Sequence, residues 1–177
     1  MIGDCDNPFW DFSLVVYARD GVEAACLALQ ERRDLDVNML LFCCWTGSRG
    51  HALSAADIGR LRSAVEPWRS RVVTPLRGVR GWLKSQAVAP RTLTEPLRER
   101  IKADELDAEA VAQRLMVETV PVGEGEGRPD QAAANLATYF ADLGSAPDDR
   151  DTADLAVLLC GCFPDLQPSE AARFLAR

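Results

Sequence analysis

Residues 37–46 read Val-Asn-Met-Leu-Leu-Phe-Cys-Cys-Trp-Thr, and no position in that run is charged. Asp34 or Asp36 stands in front of it as a cap, and Gly47-Ser-Arg-Gly50 ends it. The segment reads as a helix that is apolar on every side, and a helix of that kind belongs in the centre of a bundle with other helices around it. It is about half the length needed to span a bilayer.

The remaining chain supplies those other helices. Asn7-Pro8 is a cap followed by proline at the first helical position, and it opens a helix through about Ala18. Asp20-Gly21 breaks that helix. Val22, Ala25, Cys26 and Leu29 then mark one face of a second, to about Arg33. Ser54 with Asp57 resembles a capping box and opens a helix to about Trp68. Thr74-Pro75 repeats the cap-plus-proline signal for a helix to about Gln86, and Thr94 begins a long one reaching Glu118. Nowhere do β-branched residues alternate between turns. The expected fold class is therefore all-α. It is read as an irregular or orthogonal multi-helix bundle over 1–118, a linker over 119–130 and a C-terminal helical appendage over 131–177. Within the linker, Val-Gly-Glu-Gly-Glu-Gly-Arg-Pro has the composition of a flexible segment.

Charge and histidine usage exclude several chemistries. Of the 177 residues, 20 are Lys or Arg and 27 are Asp or Glu, a net charge of -7, which argues against nucleic acid and against an anionic membrane surface as partners. The one histidine, His51, reads as an exposed loop residue; a single histidine excludes multi-histidine metal sites. Gly47-Ser-Arg-Gly50 lacks the lysine and spacing of a phosphate-binding loop. Residues 1–12 show no basic start followed by an apolar run, so a cytoplasmic location is expected. The six cysteines, Cys5, Cys26, Cys43, Cys44, Cys160 and Cys162, form no pair of Cys-x-x-Cys motifs and read as thiols packing like small apolar side chains. No catalytic residue, metal site or cofactor is predicted.

The informative residues appear on helical wheels at about 100° per residue. On the wheel of the fifth helix, the residues Val72, Leu76, Val79 and Leu83 share one face, and Arg77, Arg80 and Lys84 share an adjoining strip. In the next helix, Ile101, Ala108, Ala112, Leu115 and Met116 make the apolar face. Glu105 falls inside that arc, Glu109 lies one turn on, and Gln113 continues the line. A carboxylate on an apolar face must be paired or protonated. The two strips are expected to face each other, either as a buried ion-pair network or as the lining of a cleft in which the cations hold a small anionic ligand. Glu105 and Glu109 have the i, i+4 spacing of metal ligands, but no Glu-x-x-His accompanies them. Asn38, in the first turn of the apolar helix, either bonds locally near Asp36 or turns a buried amide toward the charged strips. Trp10, Trp45, Trp68 and Trp82 read as core or interface anchors.

These residues resemble an uncharacterised bacterial all-helical family, a domain of unknown function. The resemblance is carried by Trp10-Asp-Phe-Ser-Leu14 with Tyr17, by Gly21-Val22 and Ala25–Gln30, and by Asp36–Cys43 with Trp45. It continues through Trp68, Pro75–Arg77, Arg80, Leu83-Lys84, Lys102, Glu105-Leu106, Ala108-Glu109 and Gln113. It implies a small helical bacterial cytoplasmic protein and brings no activity, substrate or cofactor. The function expected is a non-enzymatic protein-interaction or small regulatory role, with an unidentified protein or a second copy as partner. The alternative is a small anionic-ligand binding domain or enzyme using Asn38, Arg77, Arg80, Lys84, Glu105 and Glu109.

Overall fold

The computed structural model describes residues 7–176; Cys5 lies outside them. Among the described residues there are nine α-helices and no strand: α1 (Pro8–Tyr17), α2 (Val22–Arg33), α3 (Val37–Gly47), α4 (Ala55–Trp68), α5 (Thr74–Ser85), α6 (Arg91–Thr119), α7 (Pro129–Asp142), α8 (Asp149–Cys162) and α9 (Pro168–Leu175). The all-α expectation holds. No described helix is long and apolar enough to cross a membrane.

Local signals explain most helix starts. The Asn7 side chain accepts from the Trp10 N–H at 3.3 Å, with Pro8 at the first helical position. Ser54 and Asp57 form a reciprocal capping box. Asp36 caps α3 through the Asn38 N–H at 2.9 Å. Two starts differ from the sequence reading. Thr74 makes no side-chain cap, because α4 runs on through a π-helical turn, Arg69–Val73, directly into α5. A π turn shifts the hydrogen-bond register, so Pro75 can follow without ending the run. α6 begins at Arg91 rather than Thr94 and carries Pro96 inside it.

α3 is the central helix. Every residue from Asn38 to Gly47 is buried. Phe9, Phe42 and Trp45 pack ring to ring there, with centroids 5.1–5.5 Å apart. α7 lies along α3 and adds Ala132, Ala133, Leu136, Tyr139 and Phe140 to the same core. The approach is close because Gly47 has no side chain; a Cβ there would overlap the Ala132 backbone. Asn135 locks the pair. Its amide donates to Thr46 Oγ1 and His51 O, both at 2.9 Å, and to Cys43 O at 3.2 Å, while its oxygen accepts from the Leu53 N–H at 2.9 Å.

Residues 131–177, expected as an appendage, thus share one apolar cluster with α1 to α4. Leu155, Leu158 and Leu159 of α8 and Ala171 of α9 belong to it as well. α8 lies on α2, where Arg32 and Arg33 converge on the fully buried Asp151 at 2.8 and 2.7 Å. The glycine-rich segment between α6 and α7 runs backbone to backbone against the end of α3. The Arg128 N–H donates to Gly47 O at 3.0 Å, and side chains at Gly125 or Gly127 would overlap the carbonyls of Arg49 and Ser48.

α5 and the first half of α6 form a helical hairpin. The α5 backbone packs only on α6 and the π turn, and Leu83 is its one buried residue. Val79, Trp82, Leu93 and Leu97 are exposed on this hairpin. Trp45 and Trp68 anchor more firmly: Trp45 is buried, and the Trp68 indole N–H donates to Ala108 O at 2.8 Å. His51, expected exposed, is half-buried under α7.

Candidate functional site

Antiparallel packing of α5 on α6 brings the predicted strips together. Arg77 donates from Nε to Glu105 Oε1 at 3.2 Å and from Nη2 to Glu109 Oε1 at 2.6 Å. Arg80 donates from Nε to Glu105 Oε2 and from Nη2 to Glu105 Oε1, the latter at 3.2 Å. Lys84 does not join them. It is exposed, forms no ion pair among the described residues, and lies at the turn end of the hairpin, where Arg91 bonds its backbone carbonyl.

Asn38 both sits in the cap of α3 and faces the strips. Its side-chain Nδ2 donates to Glu109 Oε2, and its Oδ1 accepts from Gln113 Nε2 at 2.9 Å. Gln113 in turn accepts from Ser13 Oγ at 3.2 Å, and Arg77 Nη1 reaches Gln30 Oε1 at 3.0 Å. The result is a polar ladder joining α1, α2, α3, α5 and α6. Ser13 and Gln30 are not among the predicted site residues, although both stand in segments that carry the family resemblance. Helical spacing adds a second signal, since it puts Ser13 between Trp10 and Tyr17 and Gln30 beside Leu27.

Burial sets the electrostatics. Glu109 is pushed above the ordinary carboxylate range because desolvation outweighs the Arg77 guanidinium beside it. Asp36 is raised for the same reason, against the weaker pull of Arg69 at 3.6 Å. Burial also lifts the Tyr17 phenol to about 12, so it stays protonated at neutral pH. Burial raises the Cys26 thiol to about 12 and also raises Cys43 and Cys160, while Cys44 is raised first by its hydrogen bond with Cys162 and then by burial.

Above the ladder lies an open cleft of about 400 Å³. Its floor is the polar ladder. Its walls are apolar and come from Trp10, Leu14 and Tyr17 of α1, Leu27 of α2 and Leu106 of α6. Leu14, Leu27 and Leu106 are 48, 39 and 52% exposed, so the apolar surface reaches the rim. Many of the residues that carry the family resemblance, Trp10, Tyr17, Gln30, Asn38, Arg77 and Glu109 among them, converge here. The floor carries two guanidiniums against two carboxylates, each already bonded internally. Among the described residues no group of three or more His, Cys, Asp or Glu is placed to hold a metal ion.

Residues 8–116, running from α1 almost to the end of α6, match a family model described as protein of unknown function (DUF2390). No curated protein matches the chain, and no solved structure does.

Proposed function

The chain belongs to this family of proteins of unknown function, and from the geometry of the cleft we propose that it is a non-enzymatic interaction protein that takes an apolar segment of a partner polypeptide. The observation that carries the reading is an apolar rim over a floor whose charges are already satisfied. Leu14, Leu27 and Leu106 offer surface that gains from being covered, at about 25 cal/mol per Å². Arg77, Arg80, Glu105 and Glu109 hold one another in place and are not free to move a proton or clamp a substrate. Their role in this reading is to fix α5, α6 and α3 so that the rim keeps its shape.

The same pairing weighs against a small anionic-ligand binding domain or enzyme in this cleft. An incoming phosphate or carboxylate would have to displace Glu105 from Arg77 and Arg80, which costs about what it returns.

A photoreactive phenylalanine analogue placed at Leu106 tests the reading in cells. A discrete polypeptide adduct that disappears with Leu14→Glu or Leu27→Glu is the expected result. Absence of any adduct, together with a thermal shift by inorganic phosphate that Arg80→Ala abolishes, would reverse the order of the two readings.

A further inference from the structure

Building on that interaction reading, we propose that the polypeptide docked on the cleft is a second copy of this chain, placed about a two-fold axis so that the basic lip of each copy covers the acidic lip of the other. Charge is strongly segregated along the sequence. Residues 69–102 hold nine Lys or Arg against two Asp or Glu, and the remaining residues hold eleven against twenty-five. The chain is thus a basic hairpin on an acidic body.

The cations of the hairpin divide into spent and available. Arg77 and Arg80 are committed to Glu105 and Glu109, and Arg98 to Glu95 and Glu99. Lys84, Arg91, Arg100 and Lys102 are exposed and form no ion pair among the described residues. Lys102 stands at the cleft with Leu106 one turn on, and Lys84 extends the Arg77–Arg80 strip past the cleft toward the hairpin end. This is one lip.

The facing lip, on α1 and α2, has the opposite sign. Glu23 of α2 lines the cleft, Glu31 of α2, Asp11 of α1 and Asp20 of the turn between the two helices are exposed as well, and all four likewise form no ion pair among the described residues. The arginines of these helices cannot neutralise them. Arg32 and Arg33 are held by Asp148, Asp151 and Asp154 of α8, and Arg19 donates to Gly161 O at 2.5 Å. Glu23, Leu27 and Glu31 follow at i, i+4 and i+8 along one line of α2, and Leu14 of α1 stands beside it.

A two-fold interface requires a surface complementary to itself. Two lips of opposite sign flanking one apolar cleft meet that condition. Rotation about an axis through the cleft lays Lys84 and Lys102 on the partner's Glu23 and Glu31, and Leu106 on the partner's Leu14 and Leu27. Other occupants fit less well. Hairpin against hairpin would set cations against cations. A duplex or an anionic membrane large enough to touch the hairpin would also meet the acidic body.

Sedimentation equilibrium from micromolar to millimolar concentration tests the proposal. The wild-type chain is expected to dimerise, more weakly as salt rises. Lys84→Glu with Lys102→Glu, and separately Glu23→Lys with Glu31→Lys, should each raise the dimer Kd about tenfold or more. Mixing the two reversed variants should restore a heterodimer, because both lips then pair again; simple misfolding cannot produce that rescue. A wild-type monomer throughout the range, a dimer indifferent to both reversals, or a mixture that stays monomeric overturns the proposal. A monomer whose Leu106 adduct contains a different polypeptide overturns it and leaves the cleft reading standing. A monomer with no adduct removes both.

Discussion

Glu105→Gln keeps the shape of the side chain and removes its charge from the middle of the ladder. The Glu105 side chain is 10% exposed and receives three N–H groups from Arg77 and Arg80. Breaking a fully buried ion pair by removing one partner costs about 3–5 kcal/mol. Here the side chains of Arg77 and Arg80 are 33 and 30% exposed, and Glu109 stays on Arg77, so part of that cost is recovered by hydration. The expected loss is about 2 kcal/mol, or a fall in Tm of about 4–8 °C for a chain of this size. Urea denaturation followed by circular dichroism, with calorimetry beside it, measures both. Glu95→Gln is the control, since Glu95 meets Arg98 at 2.6 Å but is half exposed, and it should cost less than about 0.5 kcal/mol. Arg80→Met should also cost less in the Glu105→Gln background than in the wild type, because the two share one interaction. A Glu105→Gln variant as stable as Glu95→Gln would refute the argument that this network ties α5 to α6.

Two further outcomes follow from the same geometry. Asn135→Ala strands the buried Leu53 N–H and removes a donor from His51 O, while the Thr46 hydroxyl and Cys43 O keep their bond to each other, and it should cost about 2 kcal/mol by chemical denaturation; a loss under about 1 kcal/mol would mean that α7 is held to α3 by packing alone. Burial raises the Glu109 carboxyl above its ordinary 4.5, so its stabilising share is complete at acid pH and is lost as pH rises through the folded value. The stability gap between wild type and Glu109→Gln should therefore narrow from acid to neutral pH in thermal melts, and a gap that stays constant or widens would contradict the burial argument.

Much of the fold was legible because its causes are local. The Asn7-Pro8 cap, the Ser54–Asp57 box and the unbroken apolar run of α3 each act within a turn or two of helix. The meeting of Arg77 and Arg80 with Glu105 and Glu109 was legible for a related reason. Two consecutive helices joined by a short turn pack antiparallel, and a carboxylate on an apolar face needs a cation. The same reasoning placed Lys84 with its neighbours on the strip, but the hairpin register carries it one turn past the last carboxylate, beside Arg91. Thr74-Pro75 misread for want of context, since a π turn upstream let the helix continue.

Helical class, the central position of α3 and the charged strips were thus determined by the sequence itself, through periodicity and side-chain chemistry that operate over a few residues. Tertiary structure alone decided which faces meet across the chain. Ser13 reaches Gln113 a hundred positions away, Asn135 binds the end of α3, and the glycine-rich stretch that reads as flexible lies flat against Ser48–Gly50. Those contacts depend on how several helices share one volume, and no spacing within a single helix encodes that.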